Sequence, residues 1–121
     1  MRALIIDDSN SMRDIEKSIL VQMNIQTFEA EDGVKALEML EKDSNFYLIL
    51  LDINMPELNG LKTLEKIKAS EKCCKIPVIM CTSSRSKHHV AKALQLGAVN
   101  YVIKPFQSEA FVRKIEQVMK L

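Results

Sequence analysis

Tryptophan is absent from this chain, and cysteine, glycine and proline number three each. Each scarcity excludes something. Cys73, Cys74 and Cys81 are odd in number and two are adjacent, which makes no disulfide framework and fits a reducing compartment. Cys73 and Cys74 pair with His88 and His89 in neither a C-x-x-C nor an H-x-x-x-H spacing, so a structural zinc site is not expected. Cys81, inside an apolar run, reads as a small core hydrophobe. With so little glycine, neither G-x-G-x-x-G nor G-x-x-x-x-G-K-[ST] occurs, and a phosphate-cradling nucleotide loop is excluded. Charge of one sign is also missing. Lys plus Arg number 17 against 16 for Asp plus Glu, so neither a nucleic-acid surface nor a disordered acidic tail is indicated. The apolar runs are too short to span a bilayer, and the N-terminus has no signal-peptide core. A cytoplasmic protein with no membrane insertion and no nucleic-acid partner is the expectation.

What remains is ordinary globular material. The 121 residues, 47% hydrophobic and 27% charged, suit one domain over 1–121 with a real core. Short apolar runs alternate with helical stripes. Ala3–Ile6 reads as a strand, followed by a helix with Met12, Ile15, Ile19 and Met23 inward and a capping-box-like start at Ser11 and Asp14. Ile25–Phe28 alternates like a less buried edge strand, and Glu31-Asp32-Gly33 turns into a helix burying Val34, Leu37 and Leu40. Tyr47–Leu51 is a continuous apolar run into Asp52, with a turn at Asn54-Met55-Pro56 and a helical stripe of Leu61, Leu64 and Ile67 beyond it. Ile76–Cys81 follows, with Pro77 at its beginning, where a missing N–H costs little. A helix carrying Val90, Ala93 and Leu94 ends at Gly97, a good C-cap. Val99–Ile103 is the last strand, and Phe111, Ile115 and Val118 line the last helix. Five strands alternating with five helices through short loops predict an α/β fold, a parallel sheet covered on both sides by right-handed crossovers.

In such a sheet the carboxyl ends of the strands share one edge, where ligands bind. Polar residues leave the strands there: Asp7 and Asp8, Asp52, Thr82, and Lys104. Three carboxylates crowded together repel one another and raise each other's pKa. A hard divalent cation relieves that, and oxygen ligands at this density suit Mg²⁺. Lys104 adds a mobile positive charge, and Thr82 a hydroxyl able to donate to an incoming oxygen. These parts suit phosphoryl transfer to an Asp carboxylate, with an acyl phosphate as the product. Lacking a nucleotide loop, the domain should receive its phosphoryl group from a donor that arrives separately.

Ile5-Ile6-Asp7-Asp8-Ser9, Leu51-Asp52-Ile53-Asn54-Met55-Pro56 with Gly60, Val78–Ser83 and Gly97–Phe106 resemble, in order and over the whole chain, the motifs of response-regulator receiver domains. Within that family the chain is similar to the stand-alone chemotaxis regulators. The resemblance implies a (βα)5 doubly wound, flavodoxin-like three-layer sandwich with strand order 2-1-3-4-5 and no output domain. It implies that Asp52 accepts a phosphoryl group from a CheA-like histidine kinase, and that Asp7, Asp8, Asp52 and the backbone carbonyl of Asn54 hold Mg²⁺. Lys104, joined to Pro105 by a bond whose isomer the sequence leaves open, would pair with the phosphoryl oxygens. Thr82 and Tyr101 would form the switch pair. Output would pass through a partner protein, a flagellar motor switch protein in the leading reading, docked around Lys87, Val90, Tyr101 and Ile103. A phosphatase would be a further partner, and the chain a monomer. The protein would not be an enzyme beyond promoting its own phosphorylation and dephosphorylation. One departure stands out: Ser83 follows Thr82 where the family often has Ala, and Ser84 and Asn54 occupy rim positions expected to tune water access to an acyl phosphate.

Other readings of the same residues are blander or lie elsewhere. Asp7 and Asp8 alone could cap the first helix, Tyr101 could be a plain aromatic exposed by alternation, and His88 and His89 could decorate the fourth helix. Within the signalling class the rivals are a phosphorelay intermediate or a regulator of a non-chemotaxis pathway. A haloacid-dehalogenase-type phosphatase also uses a strand-end Asp with Mg²⁺, but wants a second acid where this chain has Asn54. A degenerate receiver serving only as a docking module conflicts with the intact Asp52, Thr82 and Lys104.

Overall fold

A computed structural model of the chain describes residues 1–55 and 58–119. Strands β1 (Arg2–Ile6), β2 (Gln26–Ala30), β3 (Leu48–Leu51), β4 (Val78–Thr82) and β5 (Asn100–Ile103) alternate with helices α1 (Asn10–Gln22), α2 (Gly33–Lys42), α3 (Gly60–Ala69), α4 (Lys87–Gln95) and α5 (Ser108–Met119). The sheet is parallel throughout, in the order β2-β1-β3-β4-β5. The expected fold class and strand order therefore hold. Residues alternate across the sheet, as strand geometry requires. Leu4, Ile6, Ile49, Leu51, Val78, Met80 and Tyr101 face one apolar layer, closed by Ala36, Leu40, Leu64, Ile67 and Ala93 of α2, α3 and α4. Ala3, Ile5, Leu48, Leu50, Ile79, Cys81 and Val102 face the other, closed by Ile19 and Leu20 of α1 and by Phe111 and Ile115 of α5. Both faces being dry explains why Ala3–Ile6, Leu48–Leu51 and Val78–Cys81 of the central strands are apolar throughout.

Register then fixes the functional edge. Ile6 pairs with both Ala30 and Leu51, Leu51 with Met80, and Thr82 with Ile103. The ladder runs one bond past the strand ends, with Asp7 N–H donating to Ala30 O (3.2 Å), Asp52 N–H to Ile6 O (3.0 Å) and Lys104 N–H to Thr82 O (2.9 Å). The catalytic candidates are thus pinned by backbone hydrogen bonds rather than left on free loops.

Several expected details differ. Helix α1 is capped by Ser9, whose hydroxyl accepts from Met12 N–H, rather than starting at Ser11. Its inward face is Arg13, Glu16, Ile19 and Leu20, and Ile15 is 48% exposed. In α2, Ala36 and Leu40 are buried while Val34 faces solvent, and in α4 Ala93 is buried while Leu94 faces solvent. Such single exposed apolar residues are ordinary, because a helix buries only one stripe. Ile76 and Pro77 precede β4, and Val99 precedes β5 and is exposed. Strand β2 begins at Gln26 and runs on to Ala30, beyond the expected Phe28. Gly97 follows the α4 cap with φ +110°, a left-handed conformation that favours glycine, as expected. The turn expected at Asn54-Met55-Pro56 is described only through Met55, since Pro56 lies outside the described residues.

Candidate functional site

Asp7, Asp8 and Asp52 each bring a carboxylate oxygen to one spot, all within 4.8 Å of one another. Asp7 and Asp52 are buried and Asp8 is exposed, so the cluster opens to solvent on one side only. Lys104 closes the buried side: its ammonium lies 2.5 Å from Asp7 Oδ2 and 3.9 Å from Asp52 Oδ2. The Lys104–Pro105 peptide, whose isomer the sequence leaves open, is cis. Asp7 Oδ1 accepts Ser9 N–H at 2.9 Å, which fixes the carboxylate against the start of α1, and Asp52 Oδ1 accepts Asn54 N–H at 3.4 Å. Ser9, not Asp7 or Asp8, is the cap of α1.

Electrostatics follow from this packing. Burial pushes the Asp52 carboxyl up and the Asp7 charge adds to that, while the Lys104 charge, the Thr82 hydroxyl and the Asn54 amide pull it back. Burial alone would lower the Lys104 ammonium, but the hydrogen bond to Asp7 and the charges of Asp52, Asp7 and Glu16 raise it above the usual lysine value. Lys104 is therefore held as a cation and Asp52 as a carboxylate with a proton affinity above normal. That combination suits a nucleophilic oxygen.

The surroundings restrict this cluster further. A Cβ on Gly60 would meet Asp52 O at 2.0 Å and Ile53 Cα at 2.6 Å, so only glycine lets α3 start against the strand end. Thr82 is fully buried, and its hydroxyl accepts Ser84 N–H at 3.4 Å. Tyr101 is buried rather than exposed, with its hydroxyl donating to Ser84 O at 3.0 Å. Its ring belongs to the core layer under α4, because its register opposite Met80 turns it inward. This corrects its expected place on an output surface. Of the other expected surface residues, Lys87 is exposed and Val90 and Ile103 are half-buried. Ser83 and Asn54 are exposed and Ser84 half-buried, consistent with rim positions.

Two buried charged residues of α1 carry almost no mark in the sequence, because charge ordinarily signals exposure. Arg13 donates to Asp7 O at 2.5 Å and to Glu29 Oε1 at 3.1 Å, and also contacts Asn10 Oδ1. It clamps the loop that carries the acid pair. Glu16 is 1% exposed and its Oε1 has no hydrogen-bond partner among the described residues. Burial first, and then the Asp7 charge, push its carboxyl up to about 8, the Lys104 charge pulling it partly back, so it is largely protonated at neutral pH. The period of three in Arg13–Glu16–Ile19 was the only signal available for either.

A doubly wound sheet with acids, a hydroxyl and a lysine at its carboxyl edge is the arrangement of phosphoryl-accepting signalling domains. The match to the response regulator receiver domain family runs over residues 3–116, and the chain belongs to that family. It is 38% identical to the Chemotaxis protein CheY homolog of Campylobacter jejuni over 120 residues, covering 98% of this chain and 92% of that protein. Chemotaxis protein CheY1 of Helicobacter pylori is likewise 38% identical, with 98% and 97% covered. The solved structure of Vibrio cholerae chemotaxis protein CheY4 aligns with a TM-score of 0.89 at 26% identity, covering 97% of each chain. No helix among the described residues is long and apolar enough to cross a membrane.

Proposed function

We propose that the chain is a phosphorylation-activated switch of a two-component system, accepting a phosphoryl group on Asp52 from the phosphohistidine of a histidine kinase. The observation that carries this reading is the placement of Asp52 between an acid pair and Lys104, buried on one side and open on the other. An Asp52 carboxylate oxygen attacks phosphorus, the P–N bond of the phosphohistidine breaks, and the imidazole nitrogen leaves with the electron pair. Asp7, Asp8 and Asp52, with the Asn54 carbonyl, would hold Mg²⁺, a hard cation suited to carboxylate and carbonyl oxygens. When bound there, Mg²⁺ supplies charge neutralisation to the phosphoryl oxygens. Lys104 exchanges part of its interaction with Asp7 for a phosphoryl oxygen, and Asn54, Ser83 and Ser84 set how water reaches the acyl phosphate.

Thr82 and Tyr101 form the switch. A hydrogen bond from the Thr82 hydroxyl to a charged phosphoryl oxygen contributes roughly 1.5–3 kcal/mol. That shifts a two-state equilibrium about ten- to a hundredfold, enough to bias an ensemble. Output passes to a partner protein over the face made by α4, β5 and α5, around Lys87, Val90 and Ile103. The names of the relatives favour chemotaxis. In that setting the partner we propose is a flagellar motor switch protein, with a phosphatase resetting the signal.

Adding Mg²⁺ and beryllofluoride should change the tyrosine fluorescence or NMR spectrum of the wild type and leave Asp52→Asn unchanged. Uptake of phosphate from acetyl phosphate by Asp52→Asn would overturn the assignment. Thr82→Ala should still be phosphorylated but bind its partner about tenfold more weakly or worse, as read by titration of the phosphorylated forms. Equal affinity would remove Thr82 from the switch.

A further inference from the structure

The loop between β4 and α4 is tied together at a single residue. Ser84 donates its N–H toward Thr82 Oγ1 at 3.4 Å, accepts the Tyr101 hydroxyl on its carbonyl at 3.0 Å, and places its own hydroxyl 2.6 Å from His89 Nδ1. Its hydroxyl also accepts Ser86 N–H at 3.4 Å, and Ser86 in turn caps α4 by accepting His89 N–H at 3.3 Å. The Ser84 hydroxyl and His89 Nδ1 therefore share one short hydrogen bond, in which the ring tautomer sets which of the two donates. His89 stands three residues after the cap, where a helical side chain leans back over the preceding turn. Its neighbour His88 is exposed, with a ring centroid 6.2 Å away.

From this geometry we propose that His89 is a positioning residue for the switch, fixing Ser84 so that its carbonyl holds Tyr101 inward. The role rests on Thr82 and Tyr101 being the switch pair. Without the imidazole, the Ser84 hydroxyl keeps only the longer contact to Ser86 N–H. Ser84 then loses its 2.6 Å side-chain tie to the first turn of α4, and the carbonyl under the Tyr101 hydroxyl is free to move. Nothing in the chemistry at Asp52 calls for a histidine at this place.

The test needs no phosphoryl group. With Tyr47→Phe, Tyr101 becomes the sole tyrosine of a chain without tryptophan, so acrylamide quenching of its fluorescence reports whether the ring is in or out. His89→Ala in that background should shift the balance toward the exposed ring about three- to tenfold, as loss of one hydrogen bond does. Ser84→Ala should do the same, and the double variant should add nothing further. His89→Asn, which returns a polar atom near the Nδ1 position, should restore protection and shows that the variants fold. Unchanged quenching in His89→Ala, or additive effects in the double variant, would overturn the proposal. Phosphate uptake by the unmodified protein is measured alongside. Its absence would sink the switch reading while leaving the loop result to be judged separately.

Discussion

Replacing Lys104 with methionine should cost about 3–5 kcal/mol of stability near neutral pH, the scale for breaking a buried ion pair from one side. The Lys104 side chain is 12% exposed and its partners Asp7 and Asp52 are 1% and 8% exposed, so solvent cannot replace the lost cation cheaply. Two carboxylates would remain facing each other in a low-dielectric edge. Asp52, already pushed up by burial, would take a proton more readily, so the loss should be smaller at about pH 5 than at about pH 8. For Lys104 itself the folded pKa is raised, so its contribution is fully present below the ordinary lysine value and fades only as pH rises past it. Urea unfolding at several pH values measures this directly. Added Mg²⁺ should recover more stability in the variant than in the wild type, because the cation takes over the neutralising role. A loss under about 1 kcal/mol, typical of an exposed pair, would contradict the account.

The second large effect belongs to Glu16. Its folded pKa of about 8 lies well above its ordinary 4.5, so between those values the folded state binds more protons than the unfolded chain. Stability is therefore greatest below the unfolded value and falls as pH rises through the window from 4.5 to 8. The ceiling on that fall is about 5 kcal/mol by proton linkage, reduced by whatever relaxation lets water reach the carboxylate. Asp52 adds a smaller slope of the same sign. Glu16→Gln removes the ionisation and should flatten most of the dependence, making the variant more stable than wild type at about pH 8. Glu16→Leu should stabilise as well, since Oε1 has no hydrogen-bond partner to lose among the described residues. An undiminished slope in Glu16→Gln would place the titrating group elsewhere.

How much of this was legible follows from which interactions are local. Asp7, Asp52 and Thr82 could be read because each ends a strand whose apolar run is buried on both faces, and Lys104 because it follows Tyr101-Val102-Ile103 at the end of the last strand. Alternation of strands and helices implied the sheet, and hence that these ends share an edge. Helix faces were less legible. Ile15, Val34 and Leu94 look like core residues, yet Ala36 and Ala93 take the places against the sheet, since close packing there favours small side chains that hydropathy ranks low. Arg13 and Glu16 were invisible for the opposite reason: charge signals exposure until a partner such as Asp7 O, or a raised pKa, removes the cost. The inward ring of Tyr101 depends on register opposite Met80, and the Ser84–His89 contact on how the four-residue loop 83–86 closes onto its own helix. Neither leaves a periodic trace.

The central claim is that Asp52 takes the phosphoryl group. The most direct measurement is peptide mass spectrometry of the wild-type protein after exposure to acetyl phosphate with Mg²⁺, with hydroxylamine used to probe for an acyl phosphate. The account predicts one hydroxylamine-labile phosphoryl group, confined to the peptide that contains Asp52. Modification at Asp7, Asp8, His88, His89 or a serine, with Asp52 left bare, would contradict it.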